Sequence, residues 1–197
     1  MPLLRVTVDT NVLDDDKLAK IRAAIQGLDV ELAWVTVTER ELEGSGHVLP
    51  SIGDAALNET GVFDESSFDQ SVFGSAIRDT ATVGQWVLGV TQIGDESTEK
   101  LHDDILAIVS NNTFPTKKSR APLSPGHIRQ LRDTMILVAH AREKRDIFVT
   151  DDMKGFFRGD KGRRKRQELE NRCSTRIMTT REFCDYCTEK RQLESLE

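Results

Sequence analysis

The chain has 197 residues, of which 38% are hydrophobic and 30% charged, enough apolar material for a buried core and too much for a disordered chain. Its 27 Lys and Arg against 33 Asp and Glu leave a net charge of −6, which excludes a uniformly basic nucleic-acid coat but not a local basic patch. No apolar run approaches the roughly 20 residues of a membrane span, Asp9 interrupts the first strand too early for a signal core, and three cysteines without an export signal fit reduced thiols. The expectation is a soluble, cytoplasmic protein.

Residues 3–9 are rich in aliphatic side chains and read as a strand ending at a carboxylate, Asp9. Leu18, Ile21, Ile25 and Leu28 follow at helical spacing, with Gly27 where such a helix stops. The Asp14-Asp15-Asp16 run suits a solvated first turn, where the helix dipole favours acids. Residues 32–37 supply a second strand, and Thr38 with Glu41 has the spacing of a capping box opening another helix. Strand, helix and strand in this order begin an α/β fold with parallel pairing.

Between 44 and about 94 the patterning weakens, leaving only short candidates at 71–73 and 85–90, and the acidic stretch 51–70 reads as a solvated insertion. Helical spacing returns over 95–110 and is closed by Asn111, Asn112 and Pro115. Ser124-Pro125 reads as the N-cap and first-turn residue of a long helix reaching about 143. Residues 146–150 form a strand ended by Asp151-Asp152, which repeats the layout at Asp9. A basic segment over 154–172, a last strand at 175–179 and a helix from 181 complete the alternation. With no internal repeat and no clear linker, residues 1–197 read as one domain with an insertion of unassigned structure at about 44–126.

In a parallel α/β sheet, ligands bind at the carboxyl ends of the strands, where Asp9 and the Asp151-Asp152 pair both fall. Glu41, in the first turn after the second strand, reaches the same edge. Asp133 lies among Leu131, Met135 and Ile136, where an unpaired carboxylate costs several kcal/mol to desolvate. Four carboxylates drawn together repel one another, and a hard divalent cation such as Mg²⁺ or Mn²⁺ is the economical reason for the cluster. Such an ion activates water and stabilises charge on a phosphoryl oxygen. Cations at 117–132 and 154–172 would hold a polyanion that the acidic rim repels.

These residues resemble the motifs of PIN-domain nucleases. The stretch from Val6 to Leu13, with Asp9-Thr10-Asn11 at a strand end, is similar to the first motif; Thr38-Glu39-Arg40-Glu41-Leu42 is similar to the second; Arg132-Asp133 and the apolar helix after it resemble the third; Val149-Thr150-Asp151-Asp152 with Phe156 resembles the fourth. Residues 176–183 look like the closing strand and helix of that family. The resemblance implies a three-layer, PIN-like (Rossmann-like) α/β fold with a central, mainly parallel sheet. It also implies a Mg²⁺- or Mn²⁺-dependent ribonuclease acting on RNA or single-stranded nucleic acid, with Asp9, Glu41, Asp133 and Asp152 as metal-binding and catalytic acids and Asn11 and Thr150 in support. The spacing from Glu41 to Asp133 exceeds that of the compact toxin members, which argues against a small toxin.

Other readings stand beside these. Asp9 also suits a turn or N-cap, Glu41 competes with its own capping box, with Glu39 as the fallback acid, and Asp151 is separated from Asp152 only by the Thr-x-Asp register, so it stays a candidate ligand. Lys117, Lys118 and Arg120, and the run Arg163, Arg164, Lys165 and Arg166, are candidate nucleic-acid contacts or solvated faces. His140 shares the helical face of Asp133 and suits packing; the Cys184-x-x-Cys187 spacing suits helical burial better than a zinc site. A phosphatase of the haloacid dehalogenase type is disfavoured because Asn11 stands where its second Asp belongs. The competing class is a catalytically inactive PIN-like binding or scaffold protein. A homodimer is compatible with the sequence, and a protein partner cannot be read from it.

Overall fold

A computed structural model describes residues 3–35, 55–57, 60–61, 92–93, 96–115 and 123–194. Its elements in chain order are β1 (Leu4–Val8), α1 (Asp15–Ile25), β2 (Val30–Val35), β3 (Ala55–Leu57), β4 (Thr60–Gly61), β5 (Gln92–Ile93), α2 (Glu96–Ser110), α3 (Pro125–Arg142), β6 (Ile147–Val149), α4 (Gly159–Cys173), β7 (Arg176–Met178) and α5 (Thr180–Glu194). A 3-10 turn spans Thr10–Val12 and a π-helical turn spans Met153–Phe157. The strand candidates at 71–73 and 85–90 and the capping box at 38–41 lie outside the described residues.

The main sheet runs in the order β3-β2-β1-β6-β7, and every pair in it is parallel. A short β4–β5 pair stands apart, also parallel. Val8 of β1 lies opposite Val149 of β6, which lies opposite Met178 of β7, so these strands end at one level. The expected α/β architecture with a central parallel sheet is therefore the one observed. Part of the 44–126 stretch joins it, since Ala55–Leu57 adds the strand beyond β2 and α2 packs on α3.

Side-chain alternation divides the strands between two cores, as the pleat requires. Val6, Val8, Leu32, Ile147, Val149 and Met178 face α1 and α5, where Leu18, Ile21 and Phe183 are buried. Ala33, Val35, Phe148 and Ile177 face α2, α3 and α4, meeting Ile105, Met135, Val138 and Leu169. Helix, sheet and helix make three layers. Each fully buried aliphatic side chain contributes about 1.5–3 kcal/mol.

The helix ends follow from their sequences. Asp14 caps α1 by accepting from the Lys17 N–H at 2.9 Å, and Ser124 caps α3 by accepting from His127 N–H at 3.2 Å, with Pro125 in the first turn. Asn111 and Asn112, at φ 52° and 59°, turn the chain out of α2. The basic segment forms α4, and α5 begins at Thr180, one residue ahead of the expected start.

Two polar groups lie deep in the fold. His140, on α3, is fully buried, with Nδ1 2.9 Å from Thr7 Oγ1 and Nε2 2.7 Å from Thr175 Oγ1. Burial, helped by the nearby Arg145 charge, pushes its pKa down to about 3, so the ring is a neutral tie between β1 and β7 rather than an acid or base. Arg145 is buried at the opposite end of β1 from Asp9, where it pairs with the Glu31 carboxylate and donates to the carbonyls of Val6 at 2.9 Å and Glu31 at 2.8 Å.

Candidate functional site

The polar edge lies where β1 and β6 end side by side. The Asp9 N–H donates to the Val149 carbonyl at 2.9 Å, extending the ladder by one residue and bringing Asp9 beside Thr150. Only 8% of Asp9 is exposed. Its Oδ1 accepts from the Thr10 N–H at 2.8 Å, which caps the 3-10 turn. Its Oδ2 accepts from Asn11 Nδ2 at 2.6 Å and from Thr150 Oγ1 at 2.7 Å.

Asn11 and Thr150 tie the two strand ends together with every polar atom occupied. The second Asn11 Nδ2 proton points to Thr150 Oγ1 at 3.1 Å, and Asn11 Oδ1 accepts from the Asp151 N–H at 2.7 Å. Thr150 Oγ1 also accepts from the Asp152 N–H at 3.2 Å. The hydroxyl thus uses its single donor on Asp9 and both acceptor positions on neighbours, the full capacity of the group.

The adjacent acids Asp151 and Asp152 have different partners. Asp151 accepts from the Thr180 N–H and Oγ1, both at 2.9 Å, and pairs with Lys17 at 3.3 Å. It thereby caps α5 and joins it to α1. Lys17 in turn donates to the Asn11 carbonyl at 2.6 Å. Burial lowers the Lys17 pKa, but its bonds to Asp14 and Asp151 outweigh that and raise it. Asp152 instead opens the π-helical turn, its Oδ1 accepting from the N–H groups of Lys154 at 3.2 Å and Gly155 at 3.0 Å. No printed bond ties its Oδ2.

Asp133, half-buried on α3, acts electrostatically on Lys165 of α4 together with Asp152. Glu41, Lys117, Lys118 and Arg120 lie outside the described residues. The run on α4 divides. Arg163 and Arg164 are exposed, Arg163 pairing with Asp160 at 2.6 Å. Lys165 turns inward to the Val109 carbonyl at 2.8 Å, and Arg166 pairs with Glu170 and Glu182 while lying 5.0 Å from the Phe157 ring. Cys184 and Cys187 lie on α5. Burial raises both thiols, Cys187 to about 11, which leaves them protonated and poorly suited to metal.

Two residues that the sequence reading passed over shape this edge. A Cβ on Gly155 would fall 2.3 Å from Asp152 Oδ2, so the glycine gives the carboxylate its space. Lys17 links the Asn11 backbone to Asp151. The glycine three residues after a capping acid was a usable signal; Lys17 carried none, because its partner is far along the chain.

The site belongs to an α/β protein of the parallel-sheet class, with acids at the carboxyl ends of its central strands. Neither protein-family models nor curated proteins match the chain. Among solved structures it is similar to a FitAB complex bound to an IR36 DNA fragment, at 14% identity over 89% of this chain and 94% of that one, with a TM-score of 0.36. It is also similar to FitAcB from Neisseria gonorrhoeae, at 14% identity over 89% and 97%, with a TM-score of 0.37. At that identity and overlap, the likeness does not bear on what this chain binds. Among the described residues, no group of three or more His, Cys, Asp or Glu side chains is arranged to hold a metal ion, and no helix is long and apolar enough to cross a membrane.

Proposed function

We propose that this chain is a divalent-metal-dependent nuclease that hydrolyses phosphodiester bonds in RNA or single-stranded nucleic acid. The observation that carries the reading is the Asp9-Asn11-Thr150-Asp152 linkage, in which a hydroxyl and an amide fix two strand-end acids at the same edge. Asp9, Asp133 and Asp152, completed by Glu41, would hold Mg²⁺ or Mn²⁺. The donor set is all carboxylate oxygen, the chemistry these hard cations select. Asp152 is preferred to Asp151 as the ligand because Asp151 is spent on Thr180 and Lys17.

A bound ion there would supply an activated water and stabilise charge on the phosphoryl group. Asn11 and Thr150 hold the Asp9 carboxylate in one orientation, so little reorganisation remains when substrate arrives. Exposed Arg163 and Arg164, with Lys117, Lys118 and Arg120, would attract the phosphate backbone without reading bases.

The absence of a three-ligand group among the described residues favours, on its own, a binding protein without turnover. One experiment separates the two readings. Incubated with labelled single-stranded RNA and DNA, the chain should cleave with Mn²⁺ or Mg²⁺ and stop with EDTA, and Asp9→Asn should abolish cleavage while keeping the circular dichroism spectrum. Retained RNA binding with no cleavage under any metal would establish the binder, and undiminished cleavage by Asp9→Asn would refute the site.

A further inference from the structure

Helix α4 meets the acid edge along one stripe. Gly162 approaches the π-helical turn so closely that a Cβ there would lie 3.2 Å from the Phe157 nitrogen and 3.3 Å from the Phe156 carbonyl carbon. Leu169, further along the same stripe, is fully buried. Positions 162, 165 and 169 share a face at helical spacing, so Lys165 is carried inward while Arg163 and Arg164 stay exposed.

The Lys165 ammonium donates to the Val109 carbonyl in the last turn of α2, an acceptor that the helix cannot satisfy itself. One neutral carbonyl does not offset the cost of half-burying a charge that carries three donors. Burial lowers the Lys165 pKa, and the charges of Asp152 and then Asp133 oppose it. These acids come from different elements, the start of the π-helical turn and the middle of α3, and α4 packs on both.

We propose that Lys165 is a positioning residue, the built-in counter-cation of Asp133 and Asp152, which compensates the two carboxylates before a divalent ion arrives and competes with that ion for them. The inference rests on the metal-binding reading above. A plain structural role, tying α4 to the end of α2, would involve the Val109 bond alone.

The test is calorimetric titration of Mn²⁺ into the full chain and into Lys165→Met, Lys165→Arg and Asp152→Asn. Lys165→Met should bind Mn²⁺ about three- to ten-fold more tightly, the order expected when a unit positive charge is removed from a half-solvated site. Lys165→Arg should keep the unaltered affinity. A change in Lys165→Met of less than two-fold, or weaker binding, overturns the inference, because a structural tie alone predicts one of these. Should Lys165→Met fail to fold, Lys165→Gln, which keeps a donor for the Val109 carbonyl without the charge, is judged by the same criteria. If the unaltered chain does not bind Mn²⁺, the metal reading falls and the inference with it. If it binds, and Asp152→Asn abolishes that binding while Lys165→Met matches the unaltered chain, the inference alone falls.

Discussion

Replacing Thr150 with Val keeps the shape of a fully buried side chain and removes only its hydroxyl, which makes it a sharp perturbation of the acid edge. Three hydrogen bonds are lost: the 2.7 Å donation to Asp9 Oδ2, and the acceptances from Asn11 Nδ2 at 3.1 Å and Asp152 N–H at 3.2 Å. A bond to a carboxylate is worth about 1.5–3 kcal/mol and a neutral one about 0.5–1.5 kcal/mol. Asp9 Oδ2 keeps Asn11, and the half-exposed Asp152 can turn to water, so the losses do not add in full. A net cost of about 2–3 kcal/mol follows, which for a chain of this size lowers the melting temperature by about 4–12 °C. Circular dichroism melts of both proteins read the stability, and cleavage at saturating metal should fall further than stability explains, because Asp9 loses its orientation. A Thr150→Val protein melting within 1 °C of the unaltered chain, with full cleavage, would refute the claim that this hydroxyl organises the edge.

The remaining predictions are narrower. Gly155→Ala should displace the Asp152 carboxylate and weaken Mn²⁺ binding at least several-fold while shifting the melting temperature by only a few degrees, because a side-chain end yields more readily than backbone; calorimetry and melts on one sample check both halves. His140 should make the fold acid-sensitive: its pKa falls from 6.5 to about 3 on folding, so the unfolded chain binds the extra proton and stability drops by about 1.4 kcal/mol per pH unit as pH falls below 6.5, levelling off near the folded value. Denaturant midpoints measured from pH 7 to pH 4 would expose an error in this assignment if His140→Gln left the slope unchanged.

Much of the architecture was legible in order along the chain, because it rests on neighbours. Aliphatic alternation before Asp9, the Ser124-Pro125 cap and the Asn111-Asn112 stop each depend on residues within one turn or pleat, and the structure has each of them. The strand-end placement of Asp9 and of the Asp151-Asp152 pair follows from the same local signals. What local pattern could not decide was which of two adjacent acids is tied up: Asp151 is bound to Thr180, 29 residues later, and to Lys17 on the far side of β1. Nor could it divide four consecutive cations into two that face solvent and two that turn inward, since Gly162 packing against Phe156 and Phe157 sets how α4 is rotated. Hydrophobic periodicity records which face of an element is buried, whereas the partner of a charged side chain is fixed only when distant segments meet, and that meeting is a property of the packed layers.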